Sequence, residues 1–204
     1  MASKGIGQKF PTGAIFLIIA QVMTFYSRLI SFLTMDGVEF DFRLFLEIGA
    51  YIAFAITILR RKRSIGMLIT TLLITLLFFS NFTILTENGI FYLLFSLTNL
   101  ITMLSLCVFA LANLGIGFFE KIGKVFVVLF KISFFVGLFA LVNIDMRLFG
   151  QLESFSIMIS LMVSIFHKIA LYMVGLWMAD GSRAKPVRKN AYLTDVEPWN
   201  LKKI

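Results

Sequence analysis

Nine polar or ionisable residues of this chain lie inside apolar stretches, where their side chains could bind a ligand. They are Gln21, Arg28, Glu47, Asn99, Thr102, Ser160, Ser164, His167 and Lys168. An ionisable side chain at the centre of a membrane helix costs about 2.5–3.5 kcal/mol, and such residues commonly mark ion or substrate pathways. We therefore treat the nine as candidate ligand-binding residues.

The spacing of the last four residues allows two interpretations. Ser160, Ser164 and Lys168 recur every fourth residue, and His167 falls on nearly the same helical face. Small residues at this spacing let membrane helices pack closely, with Lys168 extending to the cytoplasmic surface. Alternatively, the face lines a polar pocket near the bilayer midplane, where transporter sites lie. Histidine titrates near neutrality, which suits a proton-coupled step.

The other candidates fall on two further faces. Arg28 and Glu47 lie near adjoining ends of two consecutive apolar stretches, so they could form an ion pair that locks a hairpin. Arg28 also continues a polar stripe from Gln21, which should turn away from lipid. Asn99 and Thr102 supply a possible partner face on a later stretch. The sequence leaves open whether these faces meet.

No motif in the chain predicts catalysis or a cofactor. H-E-x-x-H, G-x-S-x-G and G-K-[ST] motifs are all absent from the sequence, so we expect a protein that is not an enzyme. With one histidine and one cysteine, Cys107, we expect no metal, haem or intrachain disulfide. The basic residues lie in short clusters between apolar runs, which argues against nucleic-acid binding.

The elements that position the candidates are membrane helices. Apolar residues make up 59% of the 204 residues and charged residues 15%, against about 45–50% and about 25% in soluble domains. Backbone groups in lipid must bond within their own segment, so long apolar runs form helices. We predict an all-α, polytopic membrane bundle in one domain, residues 1–178, followed by a basic tail, 179–204. Its six transmembrane helices span about residues 13–33, 44–59, 65–85, 90–118, 125–144 and 155–178.

The basic residues predict the orientation of the bundle. Two lie at the N-terminus, four in residues 60–63, two in 120–124 and six in the tail, all on one side if six spans alternate. The positive-inside rule places this side, with both termini, in the cytoplasm, and we expect a bacterial plasma membrane. The tail should contact anionic lipid, and residues 190–204 could bind a protein partner.

Two functions fit these features. The first is a membrane subunit or scaffold that acts through helix packing and its cytoplasmic tail. The second is a small-solute transporter, or a substrate-binding permease subunit, with a polar intramembrane site around His167. A cavity lined by Asn99, Ser164 and His167 would favour the second function, and closed packing of these side chains would favour the first.

Overall fold

The computed structural model describes residues 11–34, 42–60, 65–80, 89–149 and 155–183, and these residues form six α-helices. The helices are α1 (Thr12–Thr34), α2 (Phe42–Leu59), α3 (Ile65–Ser80), α4 (Ile90–Asn113), α5 (Gly117–Phe149) and α6 (Phe155–Arg183). Five of them are long and apolar enough to cross a membrane, whereas α3 has 16 residues. The predicted all-α membrane bundle is thus confirmed. The orientation of its termini stays a prediction, and residues 190–204 lie outside the described ranges.

The helix limits differ from the predicted spans around the fourth and fifth helices. Helix α4 ends at Asn113, earlier than predicted, because Gly115 adopts a φ of 81° and turns the chain. Helix α5 begins at Gly117 and continues through the charged residues Lys121 and Lys124, which lie exposed on its first turns. The predicted loop at residues 120–124 is therefore helical. The predicted end of the third span, 81–85, lies outside the described residues.

The six described helices pack as a closed ring. Each contacts the next along the chain, α1 also contacts α6, and α4 contacts α6 across the ring. Alternating directions place the C-terminal ends of α1, α3 and α5 beside the N-terminal ends of α2, α4 and α6. We call this end of the bundle the Arg28 end and the other the Asn113 end.

The outer surface of the bundle is apolar. Large side chains such as Leu76 (66% exposed) and Phe135 (64% exposed) point outward. A soluble monomer rarely exposes so much contiguous apolar surface, whereas the hydrocarbon of a bilayer matches it. We conclude that this is a multi-pass membrane protein whose helices contact lipid.

Close contacts join α6 to three other helices at the Asn113 end. There, Nδ2 of Asn113 in α4 donates a hydrogen bond to the backbone carbonyl of Met178 in α6, at 2.9 Å. A Cβ atom on Gly13 would lie 2.6 Å from the Cβ of Met173, and one on Gly175 would lie 2.6 Å from Cε1 of Phe130. Glycine lets the backbones of neighbouring membrane helices approach this closely. Three helices, α1, α4 and α5, are thereby held against α6.

Candidate functional site

A cavity of about 410 Å³ lies within the bundle toward the Arg28 end, and all six described helices contribute to its wall. Its volume falls in the range of small-molecule sites, about 300–1,000 Å³. All nine candidate residues line it: Gln21, Arg28, Glu47, Asn99, Thr102, Ser160, Ser164, His167 and Lys168. The polar faces of α1, α4 and α6 therefore meet. That these residues bind a ligand stays a prediction.

The cavity runs from an exposed rim to a buried interior. Arg28 and Ser160 are exposed at the rim. Gln21 is 2% exposed and lies seven residues, or about 10 Å, further along α1 at 1.5 Å per residue. Lys168, eight residues beyond Ser160 on α6, is 9% exposed. The side chains of Gln21 and Lys168 thus lie deeper in the cavity than those of Arg28 and Ser160.

His167 is held by contacts from α1 and α2. Nε2 of Gln21 donates a hydrogen bond to Nδ1 of His167 at 2.8 Å. The ring of Tyr51 packs edge-on against the imidazole, with the centroids 4.9 Å apart and an interplanar angle of 89°. Because an amide NH₂ group can only donate, Nδ1 is the acceptor and the proton of the neutral ring lies on Nε2. The fold thereby selects one tautomer of His167.

Lys168 contacts groups on α4 and α5. Its Nζ donates a hydrogen bond to Oδ1 of Asn99 at 3.0 Å and lies 4.2 Å from the centroid of the Phe95 ring. A Cβ atom at Gly137 would lie 2.6 Å from this Nζ, so only glycine leaves room for the ammonium group there. The prediction that Lys168 extends to the cytoplasmic surface is wrong, because the side chain turns inward and is buried.

The hydroxyl groups divide into two sets. Oγ1 of Thr102 donates to the Thr98 carbonyl and lies 3.2 Å from Oγ of Ser133, so hydrogen bonds of this set join α4 to α5. Ser160 and Ser164 line the cavity instead. Close packing between α6 and α5 depends on Gly175, further along the helix. The residues of the predicted packing face thus line the cavity, and this close contact between α6 and α5 lies elsewhere, at Gly175.

Aromatic side chains form much of the remaining wall. Tyr172 stacks on Phe134 with the centroids 4.0 Å apart and on Phe130 at 5.5 Å, with interplanar angles of 15° and 16°. All three line the cavity, as do Tyr51 and Phe95. The sequence did not predict these five; for the three phenylalanines, 24 phenylalanines in apolar runs give no signal that separates cavity-facing rings from lipid-facing ones. The two tyrosines, polar groups within apolar runs, were the available signal.

The rim carries the remaining charged groups. Arg28 on α1 and Glu47 on α2 both line the cavity, and their predicted ion pair stays a prediction. Within the described ranges, no group of three or more His, Cys, Asp or Glu side chains could hold a metal ion. Besides Arg28 and Glu47, the polar groups of the lining are one ammonium group, one imidazole, amides and hydroxyls.

Comparison of the chain with protein-family models, curated proteins and solved structures finds no match. The geometry of the cavity is thus the ground for assigning a function.

Proposed function

We propose that this protein binds a small solute in its intramembrane cavity, either as a small-solute transporter or as the substrate-binding subunit of a permease. The observation that carries this proposal is the cavity itself, lined by Asn99, Ser164 and His167. A scaffold that acts through helix packing needs no such space. Filling it with apolar side chains would give more packing contacts and avoid the cost of burying polar groups.

The bundle's asymmetry supports binding from one side. Among the described residues, the cavity lining extends to Arg28 and Ser160 at the Arg28 end, whereas the Asn113 end is closed by the contact of Phe130 with Gly175 and by the bond from Asn113 to Met178. If the basic loops are cytoplasmic, solute enters from the opposite side of the membrane. A transporter must then separate these contacts to release solute inward, whereas a binding subunit leaves that step to its partners.

The test is to purify the full chain in mild detergent and identify bound small molecules and proteins by mass spectrometry. The matched variants are Asn99→Ala and Asn143→Ala. Asn99 lines the cavity, whereas Asn143 is outside its lining, and among the described residues Nδ2 of Asn143 bonds only the Phe139 carbonyl of its own helix. We expect a small molecule to copurify with wild type and Asn143→Ala, and to fall at least tenfold in Asn99→Ala and His167→Ala.

Two results would overturn the proposal. One is a stoichiometric partner protein with no small molecule on the wild type, which would favour the scaffold function. The other is equal retention by Asn99→Ala and Asn143→Ala, which would place the solute elsewhere. Thermal unfolding of each variant, followed by circular dichroism, separates loss of binding from loss of fold.

A further inference from the structure

Resting on the proposed function, the geometry points to a ligand class: a small organic anion with a single carboxylate and an apolar body. The carboxylate binds at Lys168 and His167, and the body lies against the aromatic wall. Four features support this ligand class. They are the charge of Lys168, the imidazole N–H group of His167, the number of charged residues in the lining, and the size and aromatic composition of the rest of the cavity.

The first step is the charge of Lys168. Its contacts within the described part of the chain are the amide oxygen of Asn99 and the ring of Phe95. Both attract a cation, yet neither carries a formal negative charge. A lysine ammonium has three N–H donors, and burying it without a counter-ion is unfavourable. Lys168 is 9% exposed and lines the cavity, so an anion there would supply the missing charge.

The second step is a further donor beside Lys168. The hydrogen bond from Gln21 leaves the imidazole proton of His167 on Nε2. Every buried side-chain nitrogen or oxygen of the described residues has a hydrogen-bond partner. Nε2 bonds no described residue, so it is not among the buried atoms. Because His167 lines the cavity, we infer that Nε2 faces it. Both the Nε2–H group and the ammonium group belong to residues that line the cavity, so both are donors for an anion that enters it.

The third step is the count of charges, which favours a monoanion. The interior holds one lysine, and Arg28 lies about 10 Å nearer the rim, as judged from its separation from Gln21 along α1. Glu47, half-buried on α2, also lines the cavity, so the formal charges of the lining (Arg28, Lys168 and Glu47) sum to +1. A phosphate dianion would need a second cation close to Lys168, and the described residues of the interior do not include one.

The fourth step is the body of the ligand. Beyond the polar groups, the wall consists of Phe95, Phe130, Phe134, Tyr172 and aliphatic side chains. Such a wall favours an apolar or aromatic group. A volume of 410 Å³ equals that of about 14 water molecules at about 30 Å³ each, so a carboxylic acid with a phenyl ring and a short chain fits.

Gly137 is a positioning residue for this site. Because a Cβ atom there would overlap Nζ of Lys168 and lie 2.6 Å from Oγ1 of Thr98, Gly137→Ala pushes the ammonium group away from Asn99. The variant keeps every charge of the cavity but moves one of them. It should therefore weaken carboxylate binding and leave binding of an uncharged analogue of the same shape unchanged.

The experiment measures binding of three probes to the purified full chain by isothermal titration calorimetry. The probes are 4-phenylbutyrate, its uncharged amide 4-phenylbutanamide, and the cation 4-phenylbutylamine. We expect the carboxylate to bind at least tenfold more tightly than the amide, and the amine not to bind. The variants are Lys168→Met and Lys131→Met, since Lys131 lies exposed on α5 outside the cavity.

We expect Lys168→Met to remove the preference for carboxylate over amide, and Lys131→Met to keep it. Lys168→Arg, which retains the charge, should keep part of the preference if the methionine variant does not fold. Equal affinity of the wild type for carboxylate and amide would refute the ligand class and leave the proposed function intact. A Lys168→Met variant that still prefers the carboxylate over the amide would likewise refute the ligand class and leave the proposed function intact. No binding of any probe, together with no copurifying solute, would refute both.

Discussion

Replacing Gly175 with alanine tests the closed packing at the Asn113 end. A Cβ atom at this position would lie 2.6 Å from Cε1 of Phe130 and closer still to Cζ. The Phe130 ring is 1% exposed, packs edge-on against Phe109 at 5.6 Å and stacks on Tyr172 at 5.5 Å. The ring cannot move aside without disturbing both contacts, so α5 and α6 must separate.

The control is Gly49→Ala in α2, where an added Cβ atom meets nothing within 4 Å. Both substitutions gain up to about 1 kcal/mol from the higher helix propensity of alanine. Only Gly175→Ala also incurs the cost of overpacking, about 1–3 kcal/mol. The two variants should thus differ by about 1–3 kcal/mol in free energy of unfolding. For a chain of this size, 1 kcal/mol shifts Tm by about 2–4 °C, so Gly175→Ala should unfold about 2–12 °C below Gly49→Ala.

The assay is thermal unfolding of both variants in the same detergent, followed by far-ultraviolet circular dichroism. Equal Tm values for Gly175→Ala and Gly49→Ala would refute the reasoning, because α5 and α6 would then have room for a side chain at their contact. The closed end of the bundle, and the one-sided access to the cavity that depends on it, would be refuted with it.

Two further substitutions test hydrogen bonds between helices. Gln21→Leu removes the donor to Nδ1 of His167, and we expect the free energy of unfolding to fall by about 1–3 kcal/mol. In ¹⁵N NMR of the chain's only histidine, the Nε2–H tautomer should give way to a mixture of tautomers. An unchanged spectrum would contradict the assigned bond. Asn113→Leu removes the bond to the Met178 carbonyl and should lower the free energy of unfolding by about 1 kcal/mol, which is a fall in Tm of about 2–4 °C. The control is Asn143→Leu, which breaks no bond between described helices and should lower Tm by less. Equal losses in the two variants would argue against the contact between α4 and α6.

The polar residues of the candidate site could be predicted from the helical periodicity of the sequence. A polar residue inside an apolar helix is favoured to turn away from lipid, so periodicity predicted that Gln21, Ser164 and His167 face protein or a cavity. The aromatic wall of the cavity could not be predicted from periodicity. A phenylalanine is equally stable against lipid and against a ligand cavity, so nothing in the sequence distinguishes Phe134, which lines the cavity, from Phe135, which is 64% exposed to the outside.

The break between α4 and α5 is a second feature that the sequence did not predict. The apolar run continues past Asn113 to Phe118, so hydropathy alone predicts one long span. The chain turns at Gly115 because this residue adopts a positive φ, which glycine readily does and other residues rarely do. A glycine within an apolar run permits such a turn without requiring it, so the end of α4 could not be fixed from composition.

By itself, the sequence determined that the chain forms an apolar helical bundle and which residues turn away from lipid. Both are local consequences, because a run of apolar residues in a bilayer must satisfy its backbone groups within its own helix. Only the tertiary structure decided that these faces surround one cavity, that Lys168 turns inward to Asn99, and which nitrogen of His167 carries the proton. Those outcomes depend on how each helix is rotated against partners far along the chain: Gln21 and His167 are 146 residues apart, and their contact is set by the packing of α1 on α6.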